Sequence, residues 1–178
     1  EEKTEKPEKT PVNAPAELAP ATAGDVSTIV ENAMPFIVSI RSEIIQVTHD
    51  IFGRRSERTG IGAGSGIIIG QNKKELMLVT NEHVIRDAAR IFVVLDDGTE
   101  CKAELKGSDV NSDLAVLTIR LSELSKETKA HIRVAVLGNS DILQTGAMTI
   151  AIGNALGYGQ STTVGYVSAV NRIITIDN

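Results

Sequence analysis

The sequence predicts an all-β fold: many short antiparallel strands closed into a barrel or a sandwich. Three observations carry this. Apolar and polar residues alternate along much of the chain, the period of half-buried antiparallel strands. The apolar runs are short and are separated by Gly, Asn and Asp turn signals. Aromatics make up only 3 % of the chain and Trp is absent, so Val, Ile, Leu and Ala must fill the core.

The elements follow in order. Residues 1–22 carry four of the five prolines and many charges. Such a segment buries too little to offset its ordering entropy, so it reads as a disordered linker. The chain opens on Glu1 with no visible signal peptide, and a linker with nothing before it suggests that a signal or an anchor was removed upstream, or simply that the sequence starts there. Residues 23–35, AGDVSTIVENAMP, predict a short helix. Val26, Ile29, Val30, Ala33 and Met34 share one face, with Asp25 as cap and Pro35 as stop. From residue 36 the period becomes two, and FIVSIRSEI (36–44) predicts a strand. FGRRSERTGIGAG (52–64) is polar and glycine-rich and reads as a mobile loop. SGIIIG and ELMLVT flank QNKK as a hairpin, and Asp97-Gly98 marks another. DLAVLTI, AVLG, MTIAIG and STTVGYVSAV predict further strands. The polar segment 121–133 is a connection with room for a helical turn. Residues 23–178 thus read as the folded part.

Composition excludes some functions. A net charge of −5 without a basic stripe argues against nucleic acid as a partner. No apolar run is long enough for a membrane-spanning helix. The single cysteine, Cys101, forms no internal disulfide and reads as a strand residue. The glycine-rich stretches GIGAGSG (60–66) and GNALGYG (153–159) lack G-x-x-x-x-G-K-[ST] and do not open a helix, so they read as turns that let strands approach. His49, His83 and His131 stand without a second ligand at metal spacing, and no cofactor is implied.

His83 asks for another explanation. It follows the apolar run Leu76–Val79 where the chain turns at Thr80-Asn81-Glu82. Asp113 stands directly before the apolar run Leu114–Ile119, where a carboxylate needs a partner to be buried. A carboxylate that holds an imidazole in one tautomer and stabilises the imidazolium is the pairing nucleophilic catalysis uses. Residue types alone leave this open beside a purely structural histidine.

The words around the two residues are more specific. GSGIII…LVTNEHVI, LDDGTECKAELKGSDVNSDLAVL and AIGNALGYGQSTTVGYVSAVNR, in that order, resemble the HtrA (DegP-like) family of trypsin-like serine proteases. The resemblance runs from about Ser27 to Arg172. It implies a trypsin-like double β-barrel, with about 23–125 supplying most of the first barrel and about 131–178 the opening strands of the second. It implies His83 as general base and Asp113, not Asp109, as the acid that orients it. It also implies endopeptidase action on unfolded or misfolded polypeptides outside the cytoplasm, without a cofactor. Family members often form trimers, so a homotrimer is an expectation, as is a membrane tether upstream of the leader.

The family's nucleophile lies in G-N-S-G-G, which does not occur in these 178 residues. The segment is expected downstream of Asn178, and the chain alone is expected to be inactive. Ser140 in Gly138-Asn139-Ser140 is followed by Asp141 and Ile142 rather than two glycines, and reads as a turn or cap. Ser65 and Cys101 precede Asp113, in the wrong order for a nucleophile. Two alternatives stay open: a non-catalytic polypeptide-binding or chaperone-like protein on the same scaffold, and a β-barrel binding module with a chance His/Asp pair.

Overall fold

The structure is a computed structural model that describes residues 26–49, 55–153 and 160–172. The linker reading of 1–22, the Asp25 cap and most of GNALGYG lie outside these residues. A short helix, α1 (Val26–Ala33), leads through a 3₁₀ turn at Met34–Phe36 into the first strand. The strands β1 (Ile37–His49), β2 (Arg55–Gln71), β3 (Glu75–Thr80), β4 (Arg90–Val94), β5 (Glu100–Asp109) and β6 (Leu114–Arg120) form a closed barrel in the order β1-β2-β3-β6-β5-β4. Helix α2 (Glu82–Ile85) lies between β3 and β4, and α3 (Lys126–His131) follows β6. Strands β7 (Met148–Gly153) and β8 (Ser161–Tyr166) make a separate two-stranded antiparallel sheet.

Closure removes the sheet edges and puts one side chain in two inside. β3 shows this directly, since Leu76, Leu78 and Thr80 are buried while their neighbours are partly open. Val38, Ile40, Ile68, Leu76, Leu78, Val93, Leu117 and Ile119 are sealed from solvent as one cluster. Cys101 belongs to this cluster from β5.

Four elements differ from the sequence reading. The expected loop 52–64 is strand from Arg55 onward, paired with β1 in register from Ile37↔Ile67 to His49↔Arg55. Its glycines recur every second residue at 60, 62, 64 and 66, so they follow the strand period with no side chain on one face. β1 is correspondingly longer than 36–44 and pairs with β4 only over Ser39–Glu43, so its far part forms a ribbon with β2 alone. AVLG (135–138) is not a strand. Among the described residues its backbone bonds to the barrel only through the Ala135 N–H to the Ile68 carbonyl, 2.9 Å, where a ladder needs a repeat. β8 ends at Tyr166, short of the run to Val170.

Candidate active site

The site is built where β3 ends and β6 begins. β3 and β6 are antiparallel neighbours with Thr80 opposite Ala115, so the residues just beyond these two ends meet. The Thr80 hydroxyl donates to the Ser65 carbonyl at 2.7 Å and ties the end of β3 to β2. Asn81 is extended (φ −77°, ψ 144°) and starts α2 without capping it, because its amide turns to Asp113 instead.

α2 has only four residues, too few to stand by itself. It rests on packing and ion pairing. Ile85 is buried in the barrel core and Val84 packs against it. Glu82 is buried and takes three bonds from the Arg86 guanidinium, 3.3, 3.0 and 2.7 Å. That bond raises the Arg86 pKa. His83, between these anchors, keeps 60 % of its side chain exposed.

Asp113 closes the turn from β5 into β6. Its φ is 51°, the left-handed region that a non-glycine residue enters at a cost, Asp and Asn least of all. The cost is offset by the bonds this posture allows. The Asp113 carbonyl accepts the Glu82 N–H at 3.2 Å and the Asn81 amide at 3.2 Å. Its carboxylate accepts the His83 backbone N–H at 2.9 Å on one oxygen. The other oxygen takes the Asn81 amide at 3.0 Å and His83 Nδ1 at 2.7 Å. An ionised carboxylate accepts only, so Nδ1 carries the proton, and in the neutral ring Nε2 is the nitrogen with the lone pair. The His83 backbone N–H is the largest influence holding the Asp113 carboxyl below the usual carboxylate range. The ring's bond and charge and the Asn81 amide help, against an upward push from desolvation.

The carboxylate is 26 % exposed, so it is half-buried rather than sealed beneath the strand. The nearby Asp109 is occupied by its own turn. It accepts from the Asn111 N–H at 3.0 Å and the Ser112 hydroxyl at 2.8 Å, and the Ser112 bond chiefly lowers its pKa.

Sequence reasoning missed two things here. Asn81 is the side chain that holds both the carbonyl and the carboxylate of Asp113; its only sequence signal is its place in the Thr-Asn-x-His-Val stretch. His131, read as solitary, pairs through Nε2 with Asp96 at 2.8 Å. Among the described residues no backbone N–H or amide donates to the Asp96 carboxylate, and the pair joins the end of α3 to the β4–β5 turn. His49 ends β1, and its side chain lies outside the described part. Ser140 opens a 3₁₀ turn, Ser140–Ile142, in which the Asn139 side chain accepts the Asp141 N–H at 2.9 Å. The Cys101 thiol is buried, and desolvation pushes its pKa up. Among the described residues no group of three or more His, Cys, Asp or Glu side chains is placed to hold a metal.

Comparison with known proteins gives a consistent picture. Residues 64–178 match the family described as trypsin-like peptidase domain. The chain is 40 % identical over 157 residues to serine protease Do-like HtrA of Bacillus subtilis (strain 168), covering 85 % of this chain and 33 % of the relative. It is 35 % identical over 159 residues to the periplasmic pH-dependent serine endoprotease DegQ of Escherichia coli (strain K12), covering 83 % and 33 %. Among solved structures, the HtrA-type protease AlgW with decapeptide superposes with a TM-score of 0.65 at 31 % identity, over 84 % of this chain and 47 % of that one. The chain spans about a third of the length of these curated relatives.

Proposed function

Because this chain belongs to the trypsin-like peptidase domain family, with its similarities falling on HtrA-type serine proteases, we propose that it carries the general base and the orienting acid of a serine endopeptidase, His83 and Asp113. The observation that supports this best is the double hold of Asp113 on His83, ring at 2.7 Å and backbone at 2.9 Å. It fixes the imidazole's tautomer and direction while the ring stays 60 % exposed with Nε2 facing away from the acid.

In this reading Nε2 takes the proton of a serine hydroxyl as the serine attacks the scissile carbonyl. Asp113 stabilises the imidazolium that forms, and the same proton then passes to the leaving amine. Water attacks the resulting acyl-enzyme by the same base. The nucleophile and the oxyanion-hole donors lie, in this proposal, in the further length that the relatives have and these residues do not cover. Peptide chains of unfolded or damaged proteins are the proposed substrates. Several of the relatives are named as periplasmic, which supports action outside the cytoplasm. A homotrimer and a tether through the proline-rich leader are proposed on family resemblance alone.

The test is casein cleavage by the protein extended through a G-N-S-G-G segment. His83→Ala abolishes activity without unfolding the chain. Asp113→Asn lowers kcat by about 10⁴-fold through the wrong tautomer. The 178-residue chain cleaves nothing above background. Cleavage by that chain at a rate indifferent to His83→Ala, with contaminants excluded, removes the mechanism.

A further inference from the structure

We propose that Gly64 is a positioning residue for the reaction: its missing side chain is the seat on which α2 rests, and the depth of that seat sets where the His83 ring stands. The inference rests on the reading of His83 as general base and adds a residue 19 positions before it in the sequence.

The register makes the seat. Across the β1–β2 ladder, Gly66, Gly64 and Gly62 stand opposite Val38, Ile40 and Ser42. These β1 residues are fully sealed from solvent. β2 thus offers a bare strip of backbone beside a full row of inward side chains. α2 descends onto that strip. A Cβ built on Gly64 would lie 2.6 Å from both methyls of Val84, and one on Gly62 would lie 3.6 Å from the Val84 carbonyl and collide with the Ser42 hydroxyl. Gly64 has no positive φ. Its reason for being glycine is therefore space and not backbone conformation.

The lever is short. Val84 is the residue after His83, in a helix of a single turn. Carbon atoms settle at about 3.5–4.0 Å, so a methyl at position 64 forces Val84 outward by about 1 Å. Ile85 is locked in the core and Glu82 is buried and tied to Arg86, which leaves the helix to tilt around them. The tilt is delivered to His83. Asp113 follows only in part, since it directly precedes Leu114, the first residue of β6, which is held in the ladder. A displacement near 1 Å at a catalytic group costs about a hundredfold in rate. Substrate binding does not depend on this contact, so the loss falls on kcat.

The experiment is a small-to-large and large-to-small exchange in the active, extended protein, with kcat expressed per active site titrated. Expected are a kcat about a hundredfold lower in Gly64→Ala with KM within about twofold, and recovery of at least tenfold of that loss in Gly64→Ala/Val84→Ala. A seat that serves only stability changes the number of titratable sites and leaves kcat per site alone. Val84→Ile presses on the same seat without altering β2, and is expected to lower kcat per site about tenfold. It decides the matter should Gly64→Ala fail to fold. Wild-type kcat per site in Gly64→Ala or, where that protein is unfolded, in Val84→Ile, or a double variant no faster than Gly64→Ala, overturns the seat. If His83→Ala is dead in the same assay, the base reading survives that result. If His83→Ala is active, both readings fall together.

Discussion

β6 and β7 are made from the same kind of sequence, LAVLTIR and MTIAIG, and meet opposite fates. In β6, Ala115, Leu117 and Ile119 are sealed inside the barrel. In β7 no residue is buried, and Met148 stands 49 % exposed. Its partner β8 leaves Tyr166 70 % exposed. The difference is not propensity or pattern. It is the number of neighbours: β6 is paired on both edges and backed by the far wall of a closed barrel, while among the described residues β7 is paired with β8 alone. A two-stranded sheet is marginal in water without something to cover a face. Apolar alternation therefore announces a strand, and only the topology decides whether it contributes a core. The His83–Asp113 pair belongs wholly to the closed part, which explains how it can be well formed while the second sheet is bare.

The sharpest way to break this comparison is to remove buried volume from each part. Leu117→Ala should destabilise the chain by about 2–5 kcal/mol in urea titrations, as deletion of sealed core volume does. Val164→Ala, at a side chain 46 % exposed, should change stability by no more than about 0.5 kcal/mol. Equal costs would mean that β8 is covered in solution and that the contrast is wrong. Amide exchange sharpens the same contrast without mutation. Amides of β3 and β6 should exchange only through global unfolding, at least about a hundredfold more slowly than those of β7 and β8.

A third change probes the join between the parts. A Cβ at Gly153, the last residue of β7, would lie 2.8 Å from the Ser65 hydroxyl on β2. Gly153→Ala should loosen the small sheet against the barrel. Exchange in β7 should quicken severalfold while exchange in β6 and the unfolding midpoint stay as they were. A fall in the midpoint of several degrees would make the two parts one cooperative unit.

These contrasts also explain what could be read in advance. The barrel strands with a sharp apolar period, β3 and β6, were legible because burial on one face writes that period into them. The His83–Asp113 pair was legible because each residue sits beside such a strand in a distinctive stretch. The glycine-rich half of β2 was not. Glycine has no side chain to show a face, and its composition resembles a loop; the period of two in Gly60, Gly62, Gly64 and Gly66 acquires meaning only once β1 lies alongside. Asn81 was missed because its task depends on the left-handed turn at Asp113, 32 residues away. The His131–Asp96 pair was missed because it joins a helix to a turn through folding alone. AVLG shows the opposite error, an apolar run that meets only one carbonyl.

The smallest effect tests the Asp113 environment itself. Its folded pKa lies below the ordinary carboxylate value, about 3.9. The sign follows from linkage: the stabilisation from the ionised, bonded carboxylate is fully present above that ordinary value and fades as pH falls through the depressed one. The titration of Asp113, followed by carboxyl carbon NMR, should therefore have its midpoint below that of an unstructured aspartate. The largest cause is the backbone N–H of residue 83, and the ring comes after it. His83→Ala removes the ring's bond and charge but keeps that N–H. The midpoint should rise in this variant and still stop short of the unstructured value. Asn81→Ala should raise it less, since its amide is the smallest of these influences on the carboxylate. Val164→Ala should leave it unmoved, because nothing in the second sheet contributes. A complete return to the unstructured value in His83→Ala would mean that the imidazole and not the α2 backbone holds the carboxylate, and the turn at Asp113 would then owe its form to the ring it orients.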